Sequence, residues 1–398
     1  MQLLVIQFLE SNIGIIKGKA MKIIDVRLKP LFSKFKTPYI WAMGRELGQT
    51  TILVEIETDT GIIGFGETAP TMLISEPIIA HLKTIKTKLL GQSVFQISDL
   101  MRQIYSHNFG HFSVSHAHPR VANLVFAGLE MALWDAFGKS VDLPVHALLG
   151  GKIHDFVSFM GFVQGETTKE IATHASHLAE EGYDVIYLKT GRGKEKDIAN
   201  SEAVRNAIGD KRFRIDPNEA WDLMEAQVMI NKLAVFDLEM VEQPVSAMAG
   251  VAALKALKQS CPVPIAADQS VFTPEEANAM CSSGAISLLT IGLHETGGIL
   301  GFRRVASIAQ LFDIKVCIHG VWETGITTCA SIQAVASVPN LDDGNQIMWQ
   351  LLEEDIIETP DLNPKAGKIS VMSSPGLGFI LNEDAVGRAM EAFDKQIS

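Results

Sequence analysis

The sequence has few cysteines, no cluster of positive charge and no long apolar stretch, and each lack excludes something. Only four of its 398 residues are cysteine (Cys261, Cys281, Cys317 and Cys329), and none stand in CxxC spacing. That excludes a thiol metal cluster and a disulfide framework, and reads as buried free thiols in a reducing cytosol. The net charge is −12 and no Lys/Arg run stands out. Nucleic acid and anionic membranes are therefore not expected partners. No apolar run is expected to reach the length that crosses a bilayer. There is no low-complexity segment, no Ser/Gly-rich linker and no sequence repeat. Gly61, Gly64 and Gly66 have the order G-x-x-G-x-G inside a hairpin, which is not a dinucleotide fingerprint. His107, His111, His116 and His118 crowd one stretch without paired spacing on a helix face. They read as a surface loop rather than a zinc site.

What is present suits a large two-part molecule. Apolar residues make up 47% of the chain, ample for a sizeable core, and the length fits a barrel with an added domain. Met1–Leu9 is apolar but lacks a positive n-region, so it is a poor signal peptide. A clean strand begins after Met21, and residues 1–20 read as an upstream extension. Residues 31–50 look irregular and read as a flap. Residues 51–57 and 62–67 form a hairpin, 75–107 are helical by period, and 121–139 form a long amphipathic helix stopped by Leu-Leu-Gly-Gly (148–151). The rhythm then changes. Strand-like runs fall at 156–163, 185–189, 212–216, 238–242, 264–268, 286–293, 315–319 and 346–351, with helical segments between the first seven. They are apolar on both faces, as in a parallel barrel.

Four of these runs stop at a charged residue: Ile-Tyr-Leu-Lys at Lys189, Arg-Ile-Asp at Asp216, Met-Val-Glu at Glu242 and Ala-Ala-Asp at Asp268. The interval is about 26 residues, the length of a strand, a helix and two short loops. Ends of successive parallel strands point into one mouth. Three carboxylates converging there repel one another unless a cation lies between them, and oxygen ligands suit Mg2+.

The chain resembles the enolase superfamily, in the mandelate racemase and muconate lactonizing enzyme branch. The resemblance covers nearly everything after residue 22. Its carriers are Glu-Thr-Asp-Thr-Gly-Ile-Ile-Gly-Phe-Gly-Glu (57–67), Ala-Leu-Trp-Asp (132–135), Leu-Leu-Gly-Gly (148–151), Ile-Asp-Pro-Asn-Glu-Ala-Trp (215–221), Val-Glu-Gln-Pro (241–244), Ala-Ala-Asp (266–268), Thr-Gly-Gly-Ile (296–299) and Pro-Gly-Leu-Gly (375–378). The resemblance implies an α/β fold, an α+β capping domain over a (β/α)7β modified TIM barrel. The expected parts are the cap at 21–150, the barrel at 151–375 and a C-terminal segment, 376–398, that packs back on the cap. It also implies one Mg2+ per subunit, with Mn2+ as a substitute, and loss of the proton α to a substrate carboxylate through an enediolate held by the metal. A Lys or His base with Mg2+ is how enolase-superfamily sites are generally described.

Residue by residue, Asp216, Glu242 and Asp268 match the metal ligands. Any one alone would read as a helix cap or a surface acid. The muconate lactonizing pattern has Lys-x-Lys at the second strand, where this chain has Tyr187-Leu188-Lys189, so only Lys189 is left as base. A neighbouring dication should disfavour its charged form. Tyr187 either donates to the substrate carboxylate or fills the barrel. The lysine expected at the sixth strand falls on Gly292; His294 and Glu295 follow it. His319 ends the seventh strand, where the mandelate racemase type has its histidine, but no Asp stands at the matching place to complete a dyad. Asn218 and Glu323 are candidate substrate contacts. The expected activity is that of a cycloisomerase or an acid-sugar dehydratase acting on a small carboxylic acid, in a cytoplasmic homo-oligomer. The alternatives are a racemase or epimerase, or a catalytically silent carboxylate-binding protein that keeps the metal.

Overall fold

The computed structural model describes residues 21–70, 75–109 and 119–397. Residues 1–20, and the side chains of His107, His111, His116 and His118, lie outside that description.

The cap begins with a three-stranded antiparallel sheet. Strand β1 (Ile23–Trp41) pairs with β2 (Gly44–Thr58) from Ile23↔Thr58 to Trp41↔Gly44, and β2 pairs with β3 (Ile63–Thr68). The expected irregular flap at 31–50 is therefore a strand pair. Leu31, Ser33 and Phe35 are buried while Lys34 and Lys36 are exposed, so the alternation of a half-buried strand continues through the lysines. Pro38 lies where the register shifts between Lys34 and Tyr39, a place that tolerates a missing N–H.

Helices α1 (Ser75–Leu89), α2 (Ile97–Phe109) and α3 (Pro119–Ser140) complete the cap. Helix α3 lies hard against β3. A Cβ on Gly64 would fall 2.1 Å from the Ala132 carbonyl oxygen, and one on Gly66 2.0 Å from that of Gly128. Those glycines exist for close helix–sheet approach. Residues Arg120–Ser140 are long and apolar enough to cross a membrane, against the expectation that no such run exists; 89% of the most apolar window is buried in the protein. It is a core helix, apolar nearly all round.

The barrel sheet contains seven parallel strands in sequential order: β5 (Gly161–Val163), β6 (Val185–Lys189), β7 (Arg212–Asp216), β8 (Leu238–Glu242), β9 (Ile265–Ala267), β10 (Leu288–Ile291) and β11 (Lys315–Ile318). Helices α4 (Thr168–Glu180), α5 (Lys194–Ile208), α6 (Leu223–Leu233), α7 (Gly250–Ser260), α8 (Pro274–Ser282) and α9 (Ile299–Leu311) return the chain between them, and α10 (Gly325–Val335) follows β11. The expected strand 156–163 splits. Strand β4 (Phe156–Ser158) pairs antiparallel with Lys368–Ser370, outside the barrel sheet.

The expected eighth strand at 346–351 is not a strand; Trp349–Leu351 is one 3-10 turn. The seam closes through Asn345 instead. Its carbonyl accepts from Met160 N at 2.7 Å, its side-chain oxygen accepts from Ile318 N at 2.8 Å, and its amide donates to Ser158 O at 2.9 Å. Arg214, buried on β7, donates to Asp342 at 2.6 Å and to Gly344 O at 3.1 Å, which holds the same stretch from the barrel interior. With the isolated parallel bridges Phe159↔Asn345 and Val316↔Leu341, this amide and this guanidinium stand where a full ladder would be.

Chain-terminal helix α11 (Glu383–Ile397) packs on β1, with Lys29 3.8 Å from Glu383. Three of the four thiols are buried and Cys261 is half-buried; all four are free.

Candidate active site

Lys189, Asp216 and Glu242 are the last residues of β6, β7 and β8, and Asp268 follows β9 by one residue. Parallel strands end on one face of a barrel, so these side chains converge there. All four are buried. The backbone around them is strained. Asn218, Glu219, Gln243 and Trp322 have φ of 45°, 63°, 31° and 53°. Left-handed conformations in residues other than glycine cost about 1 kcal/mol or more each, and persist where the surroundings enforce them.

The carboxylates are partnered unevenly. Asp216 accepts from Tyr187 Oη at 2.6 Å, Lys189 Nζ at 2.5 Å and Asn218 N at 2.6 Å. Both oxygens of Glu242 are buried with no hydrogen-bond partner, and Asp268 Oδ1 has only His319 Nε2 nearby, at 3.4 Å, without a hydrogen bond. Burial first, then the Asp216 charge, pushes Glu242 up to about 7, against Lys189 and His319. Burial and the charges of Glu295, Glu242 and Asp216 raise Asp268 well above the carboxylate range despite His319. Acids buried this way lack positive charge, and orphaned carboxylate oxygens are what a hard divalent cation takes up. The donor set fits Mg2+. Among the described residues, the trio whose ligand atoms all lie within 4.8 Å of one another is Glu242, Asp268 and His319, without Asp216, which offers a rival set with an imidazole in it. Asp216, in the expected set, is held by Lys189, and His319 Nε2, in the rival, is hydrogen-bonded to Glu295.

This pairing completes the dyad that the sequence lacked. Gly292 holds the place of the missing lysine, and its N–H donates to Glu295 Oε2 at 2.9 Å. The one-turn helix Leu293–Thr296 that follows carries Glu295 back to His319. Burial opposes the His319 charge, but Glu295 and Asp268 outweigh it and lift the imidazole to about 10. His294 turns away, its Nε2 2.9 Å from Glu67 O in the cap. Lys189 behaves likewise: burial opposes its charge, yet Asp216 with Tyr39 and Glu242 holds it above the usual lysine value. That balance is set by the protein's own charges; the depression expected of Lys189 is what a neighbouring dication would add.

A cavity of about 200 Å3 opens above these groups. Lys189, Asn218, Asp268, Glu295 and His319 line it. Tyr187 does not; it is fully buried and fills the barrel against Phe162, one of its two expected roles, while its hydroxyl holds Asp216. Glu323 does not line it either. Its carboxylate is buried and accepts from Met348 N at 3.2 Å and Thr328 Oγ1 at 3.3 Å, so it braces the wall instead of facing substrate. Sequence reasoning missed the wall: Tyr39 and Trp41 of β1, Trp322, Gln346 and Met348. No spacing joins these three segments. Only the positive φ of Trp322 marks it, and that is invisible in sequence. A larger hollow, about 850 Å3 between the hairpin and α4, holds none of the expected site residues. Size is a poorer guide here than convergent titratable groups.

The chain is similar to known proteins along most of its length. Residues 23–150 match the family described as mandelate racemase / muconate lactonizing enzyme, N-terminal domain, and residues 170–385 match the enolase C-terminal domain-like family. A chloromuconate cycloisomerase of Cupriavidus pinatubonensis is 30% identical over 88% of this chain and 93% of its own. An L-Ala-D/L-Glu epimerase of Bacillus subtilis is 28% identical over 90% of this chain and 97% of its own. Among solved structures, a muconate lactonizing enzyme of Pseudomonas fluorescens with muconolactone superposes with a TM-score of 0.85 at 27% identity, covering 93% of this chain and 100% of the other.

Proposed function

We infer the activity from one premise: the chain belongs to the mandelate racemase / muconate lactonizing enzyme family of the enolase superfamily. It is read as an isomerase or lyase that removes the proton α to the carboxylate of a small acid. The observation that carries this reading is that Lys189 and His319, from strands on different sides of the barrel, line one cavity with Asp268, while Asp216 pairs with Lys189 and Glu242 lies buried beside Asp268. Bound by Asp216, Glu242 and Asp268, Mg2+ would draw off the carboxylate charge that holds Lys189 protonated, and would stabilise the second negative charge a substrate carboxylate develops as its α-proton leaves.

The protein's own groups divide the proton work. Tyr187 and the Asn218 N–H fix Asp216. Lys189, as the free amine, takes the α-proton. His319, kept charged by Glu295, is placed to give a proton, either to a leaving β-hydroxyl or back to carbon. Trp322 and Tyr39 form an aromatic part of the cavity wall. Delivery to a β-hydroxyl makes the enzyme a hydroxy-acid dehydratase. A single base suffices for cycloisomerisation. The Glu295–His319 pair favours a second reading, racemisation or epimerisation, because it supplies a competent group on the second face of the α-carbon.

The test is solvent exchange. In D2O with Mg2+, proton NMR of hydroxy acids and sugar acids should show deuterium entering the α-position of a substrate. Lys189→Ala should abolish this. His319→Asn should leave exchange in place and stop net product formation. Exchange that is lost in His319→Asn and kept in Lys189→Ala would reverse the two roles.

A further inference from the structure

We infer that the substrate is a monocarboxylic acid with an uncharged, largely apolar body, and that Tyr39, Trp41 and Trp322 are its specificity wall. The inference rests on the reading above that one substrate carboxylate is bound at the acidic base of the cavity.

Charge is the first argument. Among the described residues, the cations lining the cavity are Lys189 and His319. Lys189 is paired with Asp216, and His319 with Glu295. Arg120 lies over the Phe272 ring and donates to the Gln269 carbonyl, but its charge is paired with Glu276 at 2.8 Å. The uncharged polar atoms left buried without a partner are three amide oxygens, Asn218 Oδ1, Gln269 Oε1 and Gln346 Oε1, and one donor, Trp41 Nε1. They suit a hydroxyl or an N–H. None can neutralise a second carboxylate, and Glu219 on the same wall would repel one. A charge taken out of water onto this wall without a partner is disfavoured.

Shape is the second argument. Trp322 is held in a left-handed conformation and braced from behind, stacked on Phe35 at 5.6 Å and 15°. Tyr39 and Trp41 meet it edge-on, at 5.0 and 6.0 Å. With Met348 and Leu124 they give the cavity a rigid apolar side. Rigid aromatics bind apolar groups at little conformational cost. The volume equals that of about seven liquid waters, so the body is short.

The experiment compares 2-hydroxy-5-methylhexanoate with 2-hydroxyglutarate, which differ at the far end by an isopropyl group in place of a carboxylate. Binding to the full chain in Mg2+ is measured by calorimetry, so turnover is not needed. The monocarboxylate should bind about tenfold tighter or more. Met43→Arg, at an exposed rim position, should narrow that ratio by adding a cation, and Trp322→Ala should weaken the monocarboxylate selectively. Equal or tighter binding of 2-hydroxyglutarate overturns the inference and leaves the proposed reaction standing. Mg2+-dependent preference for the monocarboxylate without any α-exchange keeps the inference and sinks the proposed reaction. Failure of both acids to bind in Mg2+ overturns both.

Discussion

At the scale of single residues, the site is a set of acids short of positive charge. Glu242 has no hydrogen bond to lose, so Glu242→Gln should fold normally and, by easing repulsion from Asp216, melt no lower than the parent. Calorimetry should find its Mg2+ binding abolished; unchanged binding would remove Glu242 from the ligand set. His319→Asn separates the two trios, because Mg2+ binding should persist if Asp216 is the third ligand and disappear if His319 is. Glu295→Gln should cut product formation on the order of 10²-fold while exchange by Lys189 continues, with Glu295→Asp recovering part of it. Sequence made the proposed ligands legible because each stands at a strand end, or one residue past it, at a fixed interval. It leaves open whether His294 or Glu295 reaches the site, since the matching place on the strand end is Gly292 and the carboxylate arrives one turn later on Leu293–Thr296. It also gave Glu323 a substrate-facing role, though that side chain is taken up by Met348 N and Thr328.

At the scale of elements, the barrel's weak place is its eighth position. Arg214 and Asp342 form a buried pair there, and Arg214 also holds Glu239 at 2.6 Å. Burial pushes the Asp342 carboxyl up, but the Arg214 guanidinium outweighs it and holds Asp342 below its ordinary value. A carboxyl depressed in the folded state adds stability above its unfolded value of about 3.9, and that stability is lost as pH falls through the lower folded value. The pair should therefore stabilise the protein fully at neutral pH and begin to fail below about pH 4. Arg214→Met strands Asp342, at a cost of about 3–5 kcal/mol at pH 7.5. Protonation then relieves the stranded acid, so the deficit should shrink toward pH 4.5. Thermal melts at both values check this; an equal deficit would mean that Asp342 is not the group left unpaired. The periodicity at 346–351 suggested a strand because Ile347 and Met348 are apolar and buried, and a short apolar run does not distinguish a strand from a packed turn. The hairpin at 31–50 failed the other way, its alternation masked by lysines on the open face and a proline at the bulge.

At the scale of the whole molecule, the motifs that made the family legible prove to be joints between parts. The Glu67 carboxylate, in the cap, accepts from Thr324 N at 3.1 and 3.0 Å and from Thr327 Oγ1 at 2.6 Å in the barrel. Glu130 of α3 accepts from Ile299 N and Leu300 N at the start of α9. Asp135, fully buried, accepts from Phe65 N at 2.9 Å and Leu377 N at 2.8 Å, so one side chain ties β3, α3 and the Pro-Gly-Leu-Gly turn together. Joints fix residue identity because each satisfies several backbone groups at once. The substrate wall fixes only shape and polarity, so the reaction class could be read from sequence and the substrate could not. The same geometry makes a mechanical prediction. Asp135→Ala leaves the Phe65 and Leu377 N–H groups buried without acceptors, at about 1–3 kcal/mol each. The Pro-Gly-Leu-Gly turn leads directly into α11, and a Cβ on Gly376 would lie 2.2 Å from Asp135 Oδ1, so the turn has been shaped to this carboxylate. Limited proteolysis of Asp135→Ala should cut near residues 375–378 and free the C-terminal helix while the barrel core stays resistant. Asp135→Asn, which keeps one acceptor, should show less of it. Digestion of both variants throughout, with no early C-terminal fragment, would show that the joint stabilises the whole chain as one cooperative unit and not this docking alone.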